Sequence, residues 1–273
     1  MVLMNYRHIR RKLLSGSKQQ SDSPIIVYGP PRSGTTYLIH ILNQHPKVFV
    51  TNEYRIFSWL HGATHELTKN DQMVANEKQD FQQILDKRLP NLIKDFYAIK
   101  HPEAYYWGDK NPFYGNDVGR LRTIAEYWPD AKFINIVRDG RDVVTSLMNK
   151  KWPDGRPRAD FNHAHEVWNT NIEGGLSFAR ESGDNHYFIR YEDLVADDLS
   201  EANKIFEFLG IPWHSAVEEY CGKQKKDRTM VSGPVRKIKK DATVSMWSDT
   251  LNKKQQKDSL RLLRVNMKKL GYM

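Results

Sequence analysis

The sequence predicts an α/β protein whose central, mostly parallel sheet is covered by helices on both faces. Short β-rich runs alternate with helical segments. A Gly-rich turn joins the first run to a helix, and polar residues follow the ends of the runs, where ligands bind in such sheets. The 273 residues suffice for one sizeable core. We expect a tail and linker over residues 1–23 and a single domain over 24–273.

The first half of the chain contains three predicted strands. "PIIVYG" is a short buried strand, and a helix over 35–43 follows it. "KVFVTNE" is the second strand and ends at Glu53. A polar, mostly helical stretch covers 68–97. "YYWGDKNP" is the third strand and leads into a turn over 109–112.

The second half continues the alternation of helix and strand. We expect helices over 118–127, 141–150 and 168–180, and a strand over 132–137. "HYFIRYEDL" is a strand that leads into a loop, and "SEANKIFEFLGI" is a helix. A C-terminal core helix is indicated by apolar residues at helical spacing, which are Leu260, Leu263, Met267 and Leu270.

The turn "GPPRSGTT" has the spacing of a phosphate-binding loop but lacks its lysine. Gly29, Gly34 and Thr36 fit G-x-x-x-x-G-K-[ST], whereas Thr35 stands at the lysine position. Backbone N–H groups at a helix start form an anion site. Without that lysine or a clear magnesium ligand, we expect one phosphate, alone or joined to a small anion, and no metal. The candidate donors are Arg32, Ser33, Gly34, Thr35 and Thr36; the alternative is an ordinary strand–turn–helix corner.

A second cluster lies in "VRDGRDVVTSLMNKKW". Arg138 ends a buried strand, where a charge needs a specific partner. Ser146 lies on the following helix, and Lys150 lies four residues further on the same predicted face. Together they can bind a second phosphate. The alternative for Arg138 is a salt bridge to Asp139 or Asp142, and Asp142 also suits the positive start of the helix.

Four blocks, "GPPRSGTTYL", "GDKNP", "INIVRDGRDVVTSL" and "IRYEDL", resemble the sulfotransferases that use 3′-phosphoadenosine 5′-phosphosulfate (PAPS). The matching stretch covers about residues 24–209. The resemblance implies a three-layer sandwich like that of P-loop NTPases, PAPS as donor, its desulfated form (PAP) as product, and no metal. It also implies that the first block holds the 5′-phosphosulfate, while Arg138 and Ser146 bind the 3′-phosphate.

The resemblance further implies in-line displacement at sulfur and assigns roles to single residues. Glu53 matches the glutamate base of the tyrosylprotein branch and of several carbohydrate branches. Lys110 and Arg32 would stabilise the leaving group, and Tyr191 would line the nucleotide site. The alternatives are an ion pair of Glu53 with Arg55, a surface position for Lys110, and core packing for Tyr191.

The C-terminal part departs from the family pattern. Many members close over the 3′-phosphate with a "SVGRW"-like block, whereas this chain has "ATVSMW", with Met246 where Arg or Lys is usual. The upstream basic run "RKIKK" over 236–240 can replace that contact, so Arg236 is a candidate residue for binding PAPS. A solvated charge run and an acceptor-binding patch are equal alternatives.

The resemblance implies that the acceptor is a hydroxyl (or amine) of a glycan, peptide or small molecule, with a glycan or a peptide tyrosine favoured. The net charge of +9 favours an anionic acceptor. The long segments 56–98 and 152–165 are expected to frame its pocket. Since the chain has one cysteine and no signal anchor, we expect a soluble, cytoplasmic enzyme of bacterial or viral type. No nucleic-acid partner is expected.

Two other functions remain open on the sequence alone. A P-loop phosphotransferase would need a magnesium site and a lysine for the triphosphate. A nucleotide- or polyanion-binding protein without activity would not need a carboxylate such as Glu53 beside Lys110. His61 and His65 share helical spacing but have no third ligand type near them, so we expect surface histidines there.

Overall fold

Five parallel strands form one sheet in the order β2-β3-β1-β4-β5. The computed structural model describes residues 20–69, 72–151, 154–226 and 245–273. The predicted parallel sheet is confirmed. Its strands are β1 (Ile25–Tyr28), β2 (Val48–Asn52), β3 (Tyr106–Lys110), β4 (Lys132–Val137) and β5 (His186–Arg190).

Helices fill the segments between and after the strands. They are α1 (Thr35–Leu42), α2 (Ile56–Lys69), α3 (Ala75–Lys100), α4 (Val118–Tyr127), α5 (Gly140–Asn149), α6 (Phe161–Ser182), α7 (Tyr191–Ala196), α8 (Asp198–Leu209), α9 (Ser215–Lys226), α10 (Trp247–Thr250) and α11 (Lys253–Lys269).

Some boundaries differ from the sequence prediction for identifiable reasons. α6 begins at Phe161 rather than at residue 168, because the Asp160 carboxylate caps the helix by accepting the His163 N–H. The stretch 68–97 was predicted as one helical segment; α2 ends at Lys69 within it and α3 begins at Ala75. The strand predicted over "HYFIRYEDL" ends at Arg190, and "YEDLVA" forms the short helix α7.

The two faces of the sheet carry different cores, which confirms the three-layer sandwich. Ile25 and Val27 of β1 pack in a cluster with α1, α8 and α9. Ile26 and Tyr28 point to the other face and pack with α2, α3 and α4. A third cluster forms where α5, α6 and α11 meet around Val137, at the end of β4.

The parallel register brings the carboxyl ends of the strands to one edge of the sheet. Lys110, the last residue of β3, lies opposite Asn52 of β2 and Val27 of β1. Arg138 directly follows β4, and Tyr191 directly follows β5. The polar residues that follow the strands are therefore neighbours in space, as predicted.

Part of the predicted linker lies along the start of β3. The backbone N–H of Ser21 donates to the Tyr105 carbonyl over 2.8 Å, and the Trp107 indole donates to the Ser21 carbonyl over 2.8 Å. Gln20 is almost fully buried. The domain boundary at residue 24 stays a prediction.

Candidate active site

The loop between β1 and α1 requires glycine at both ends. Gly29 has φ 144°, and a Cβ atom there would lie 2.0 Å from the Ile136 carbonyl oxygen. Gly34 has φ 89°, and its Cβ would lie 2.4 Å from the Tyr191 ring. Any larger residue would combine a strained backbone with a clash. The loop is thereby held against the end of β4 and against Tyr191.

Inside this loop lies a polar atom that suits a bound anion. Ser33 is fully buried, and its Oγ has no hydrogen-bond partner among the described residues. Its backbone N–H donates to the Pro30 carbonyl over 3.0 Å, which closes the turn. A buried, unpaired hydroxyl is costly unless a ligand satisfies it. Together with the helix start at Thr35, this arrangement fits a phosphate group.

Lys110 connects the loop to the second strand. Its ammonium Nζ lies 2.7 Å from Glu53 Oε1 and 3.3 Å from the Thr36 hydroxyl. The Lys110 side chain is 1% exposed, whereas that of Glu53 is 43% exposed. Burial lowers the pKa of Lys110, and the charges of Glu53 and Asp109 oppose that shift. The alternative of a surface lysine is therefore wrong.

The turn that carries Glu53 has a strained backbone. Glu53 has φ 61° and Arg55 has φ 59°, both in the left-handed region that non-glycine residues avoid. The Glu53 N–H donates to the Lys110 carbonyl over 2.8 Å, which continues the ladder between β2 and β3 by one residue. Such strain persists only where other contacts hold the backbone, and it concentrates at functional sites.

Arg138 gathers the predicted nucleotide-side residues around its guanidinium. Its Nη1 donates to the Arg32 carbonyl over 3.0 Å, and its Cζ lies 4.6 Å from the centre of the Tyr191 ring. The Arg32 side chain in turn donates from Nε to Ser146 Oγ over 3.0 Å. Arg138 Nη2 also lies 3.4 Å from Asp142 Oδ2. Arg138 thus forms the ion pair with Asp142 that was the alternative, and its binding of a phosphate together with Ser146 stays a prediction.

Asp142 has a structural role that the sequence did not reveal. This fully buried carboxylate accepts the backbone N–H groups of Ser245 (2.8 Å) and Trp247 (3.1 Å), besides facing Arg138. The Arg141 guanidinium stacks over the Trp247 ring at 4.1 Å. The end of the "ATVSMW" block is therefore attached at this site. The contact spans more than a hundred positions, and no local pattern encodes it.

Two residues that were predicted to bind PAPS, Lys150 and Arg236, are not part of the cluster described around Arg138. α5 ends at Asn149, and Lys150 has an extended backbone with ψ 128°, so its placement on the same helical face as Ser146 is wrong. The Lys150 carbonyl accepts the Arg158 N–H over 2.7 Å. Arg236 and the run 236–240 lie outside the described residues.

The segments expected to frame the acceptor are largely helical. Segment 56–98 comprises α2 and most of α3, and the part of 152–165 that the structure describes leads into α6. Tyr54 and Trp59, beside the Glu53 turn, are about half exposed. His61 stacks on His65 at 5.7 Å and bonds to the Thr123 hydroxyl. Within the described ranges no group of three or more His, Cys, Asp or Glu side chains is placed to hold a metal.

Comparison with known proteins identifies the family. A family model described as "Sulfotransferase family" matches residues 24–215. The chain belongs to this family. It is 31% identical to zebrafish (Danio rerio) protein-tyrosine sulfotransferase 1 over 74% of this chain and 58% of the relative. It is also 31% identical to chicken (Gallus gallus) protein-tyrosine sulfotransferase 2, over 82% of this chain and 60% of the relative. The chain thus spans about three fifths of the length of these curated relatives.

Solved structures agree on the fold. The sulfotransferase domain of a Synechococcus olefin synthase superposes with a TM-score of 0.61 at 22% identity, covering 91% of this chain and 96% of that domain. A mouse sulfotransferase complexed with PAP superposes with a TM-score of 0.56 at 16% identity, covering 92% of this chain and 87% of that one. The predicted family and its P-loop-like α/β fold are both confirmed.

The expected localisation is wrong. A cytoplasmic enzyme of bacterial or viral type was inferred from the lack of an anchor and of a cysteine pair. The matching relatives are instead protein-tyrosine sulfotransferases of animals, which do not support a cytoplasmic enzyme of bacterial or viral type. Absent segments carry no information about compartment in a chain that spans three fifths of its relatives. None of the helices in the described ranges combines the length and apolarity of a membrane span.

Proposed function

We propose that this protein transfers a sulfuryl group from PAPS to the hydroxyl of a tyrosine in a peptide acceptor. One observation carries the proposal. The buried Lys110 ammonium contacts both the Glu53 carboxylate and the Thr36 hydroxyl of the phosphate-binding loop. A single cation thereby joins the donor side of the site to a candidate base. The names of the animal relatives favour tyrosine over a glycan as acceptor.

The donor side accounts for the departure from the nucleotide triphosphatase pattern. The loop backbone and the side chains of Arg32, Ser33, Thr35 and Thr36 would hold the 5′-phosphosulfate, and the buried Ser33 hydroxyl would find its partner there. Arg138, Ser146 and the face of Tyr191 would hold the 3′-phosphate and its ribose. Lys150 and Arg236 stay predicted ligands of PAPS, and Arg236 lies outside the described residues.

The acceptor side supplies a base and a cation. PAPS supplies an activated sulfuryl group whose bridging oxygen leaves with PAP. Glu53, with 43% of its side chain exposed, is accessible to an incoming phenol and takes its proton while the phenolic oxygen bonds to sulfur. Lys110 stabilises the charge that develops on the departing phosphate oxygen as the S–O bond breaks. Because burial lowers its pKa, Lys110 also gives up a proton more readily than an exposed lysine.

The proposal is tested with radiolabelled PAPS in the presence of EDTA. A peptide with one tyrosine in an acidic context is compared with the same peptide carrying phenylalanine, and with a sulfatable glycan. Label in the tyrosine peptide alone is the expected result. Label in the glycan alone would overturn the acceptor and keep the reaction. Absence of transfer to every acceptor would overturn the activity.

A binding measurement separates the sulfotransferase from a phosphotransferase. PAP without magnesium should raise the unfolding temperature, since a ligand at a hundred times its Kd adds about 2.7 kcal/mol of stability. ATP with magnesium should have a smaller effect, because Thr35 replaces the lysine that binds a triphosphate. Stabilisation by ATP with magnesium alone would contradict the proposal.

A further inference from the structure

Asp109 is a fully buried carboxylate directly before Lys110 at the end of β3. From its contacts we propose that Asp109 is a positioning residue, which holds the Glu53 turn in place while it is ionised and releases it when it is protonated. This inference rests on the proposed role of Glu53 as the base. None of the roles assigned above uses Asp109.

The Asp109 carboxylate accepts hydrogen bonds from residues on both sides of Glu53. Oδ1 accepts the Thr51 hydroxyl over 2.6 Å and the Tyr54 backbone N–H over 3.3 Å. Oδ2 accepts the Tyr114 hydroxyl over 2.8 Å. Thr51 precedes Glu53 by two residues and Tyr54 follows it directly, so one carboxylate contacts the chain on both sides of the base.

The strain of this turn explains why it needs such a contact. Glu53 and Arg55 are both held in left-handed conformations, which are unfavourable for residues other than glycine. The peptides on either side of the Glu53 Cα are both bonded: the Glu53 N–H donates to the Lys110 carbonyl, and the N–H of the Glu53–Tyr54 peptide donates to the Asp109 carboxylate. A hydrogen bond to an ionised acceptor is about twice as strong as a neutral one. Ionised Asp109 is therefore well suited to hold this peptide.

Protonation would weaken this arrangement because ionised Asp109 accepts from all three partners. A neutral carboxyl carries its own O–H, so one hydroxyl must turn to accept it, as Thr51 can by donating to the Gly108 carbonyl, 3.1 Å away. The Tyr54 N–H is then left with a neutral and therefore weaker acceptor. The nearby titratable groups are Lys110 on the same strand, Tyr114 after it, and Tyr97 of α3, whose hydroxyl bonds to Thr51.

Burial raises the pKa of Asp109 to about 6, against the opposing effects of its hydrogen bonds and of Lys110. Because the folded pKa lies above the unfolded value, the folded state binds this proton more tightly. The contribution of Asp109 to stability therefore rises, and does not fall, as the pH drops through 6. A loss of activity as the pH falls through 6 would therefore come from displacement of the turn that carries Glu53. It would not come from destabilisation of the fold by protonation of Asp109.

The first test is the pH profile of kcat for tyrosine sulfation in three proteins. The unmodified enzyme should lose activity as the pH falls through about 6, and this decline is the acid limb of its profile. Tyr114→Phe removes a hydrogen bond that favours the ionised form, so its acid limb should move to higher pH. Asp109→Asn should no longer show the limb near pH 6 and should lose about 10²-fold in kcat through misplacement of Glu53, with KM for PAPS nearly unchanged.

Tyr127→Phe is the matched control. It removes a tyrosine–carboxylate hydrogen bond of the same length, 2.8 Å to Asp86 Oδ1, away from the site. Its profile should equal that of the unmodified enzyme. An acid limb in the same position in the Tyr114→Phe protein, or a limb near pH 6 retained in Asp109→Asn, would overturn the inference.

A second measurement needs no turnover and separates this inference from the proposed function. The amide resonance of Tyr54 is followed by NMR against pH in the ligand-free protein. It should shift with a midpoint near the pKa of about 6 in the unmodified protein, and at higher pH in Tyr114→Phe. A Tyr54 amide that does not titrate would overturn the inference even in an active enzyme. A titrating amide in a protein without sulfotransferase activity would uphold the coupling and overturn the proposed function.

Discussion

The acceptor half and the nucleotide half of the site handle charge in different ways. In the acceptor half, burial moves the pKa of Lys110 down and that of Asp109 up, and Glu53, the proposed base, remains partly exposed. Groups with displaced pKa values near one another are typical of sites that move protons. These properties support a catalytic role, namely proton transfer, for this half of the site.

In the nucleotide half, the charged groups are arginines that are fixed in position by their contacts. Arg138 bonds to a loop carbonyl, faces the Asp142 carboxylate and stacks on Tyr191. Arg32 bonds to Ser146. Guanidinium groups stay charged at any relevant pH, so this half orients an anion without exchanging protons. Substitutions in the acceptor half should therefore affect kcat, and those in the nucleotide half should affect donor binding.

Glu53→Gln is the most severe test of this division. It removes the base and keeps the shape, so kcat for the tyrosine peptide should fall by about 10²–10⁴-fold while the Kd of PAP stays within about twofold. Steady-state kinetics and calorimetry measure the two quantities. Glu181→Gln, which alters a similarly exposed glutamate in an ion pair with Arg122, should leave both unchanged. Full turnover in the Glu53→Gln protein would rule out Glu53 as the base.

Lys110→Met should cause the second largest fall in kcat. It removes the cation and preserves the volume, and Glu53 remains accessible to water, so the fold should tolerate the change. We expect kcat to fall by about 10²–10³-fold, the usual effect of removing one group that stabilises transition-state charge. Lys132→Met, near the opposite edge of the sheet, is the control. A change in KM for PAPS with unchanged kcat would instead assign Lys110 to ground-state binding.

Arg138→Lys should have a smaller effect, confined to binding. Lysine keeps the charge but cannot reach the Arg32 carbonyl and stack on Tyr191 with one planar group. The Kd of PAP should rise about tenfold, which corresponds to about 1.4 kcal/mol. Calorimetric titration with PAP measures this, and kcat at saturating PAPS should change little. A large fall in kcat at saturation would break the separation between the two halves.

Asp142→Asn should give the smallest effect on turnover and a measurable loss of stability. An asparagine cannot offer two carboxylate oxygens to the backbone N–H groups of Ser245 and Trp247. The free energy of unfolding should fall by about 1–3 kcal/mol, the cost of leaving a buried donor without its partner. Urea titration measures the loss. Unchanged stability would show that this attachment of the C-terminal block contributes little to the fold.

Local patterns predicted the elements that are encoded locally. The helix Val118–Tyr127 and the strand Lys132–Val137 lie where the apolar spacing placed them. The parallel alternation also placed Glu53, Lys110 and Arg138 at one edge of the sheet. Such inferences succeed because periodicity and strand direction are properties of neighbouring residues.

The features that sequence reasoning missed depend on distant contacts. Asp142 looked like a helix-start carboxylate, whereas its partners Ser245 and Trp247 lie far along the chain. Asp109 lies within "GDKNP", and the local pattern indicates no role for it. A charged residue at the end of a buried strand needs a specific partner, and this signal applies to Asp109 as well as to Arg138. Its partners Thr51 and Tyr114 come from separate elements, so local sequence does not reveal them.

The bond from the Glu53 N–H to the Lys110 carbonyl has a consequence for how acceptors are exchanged. The backbones of Glu53 and Lys110 are held at the spacing of neighbouring strands, about 4.8 Å, by this bond and not by the segments that follow. The buried faces of α2 and α3 pack on β1, and Tyr97 bonds to Thr51, so those faces belong to the core. A graft of only the exposed residues of 56–100 from a relative with another acceptor should therefore change the substrate and leave Glu53 and Lys110 in place.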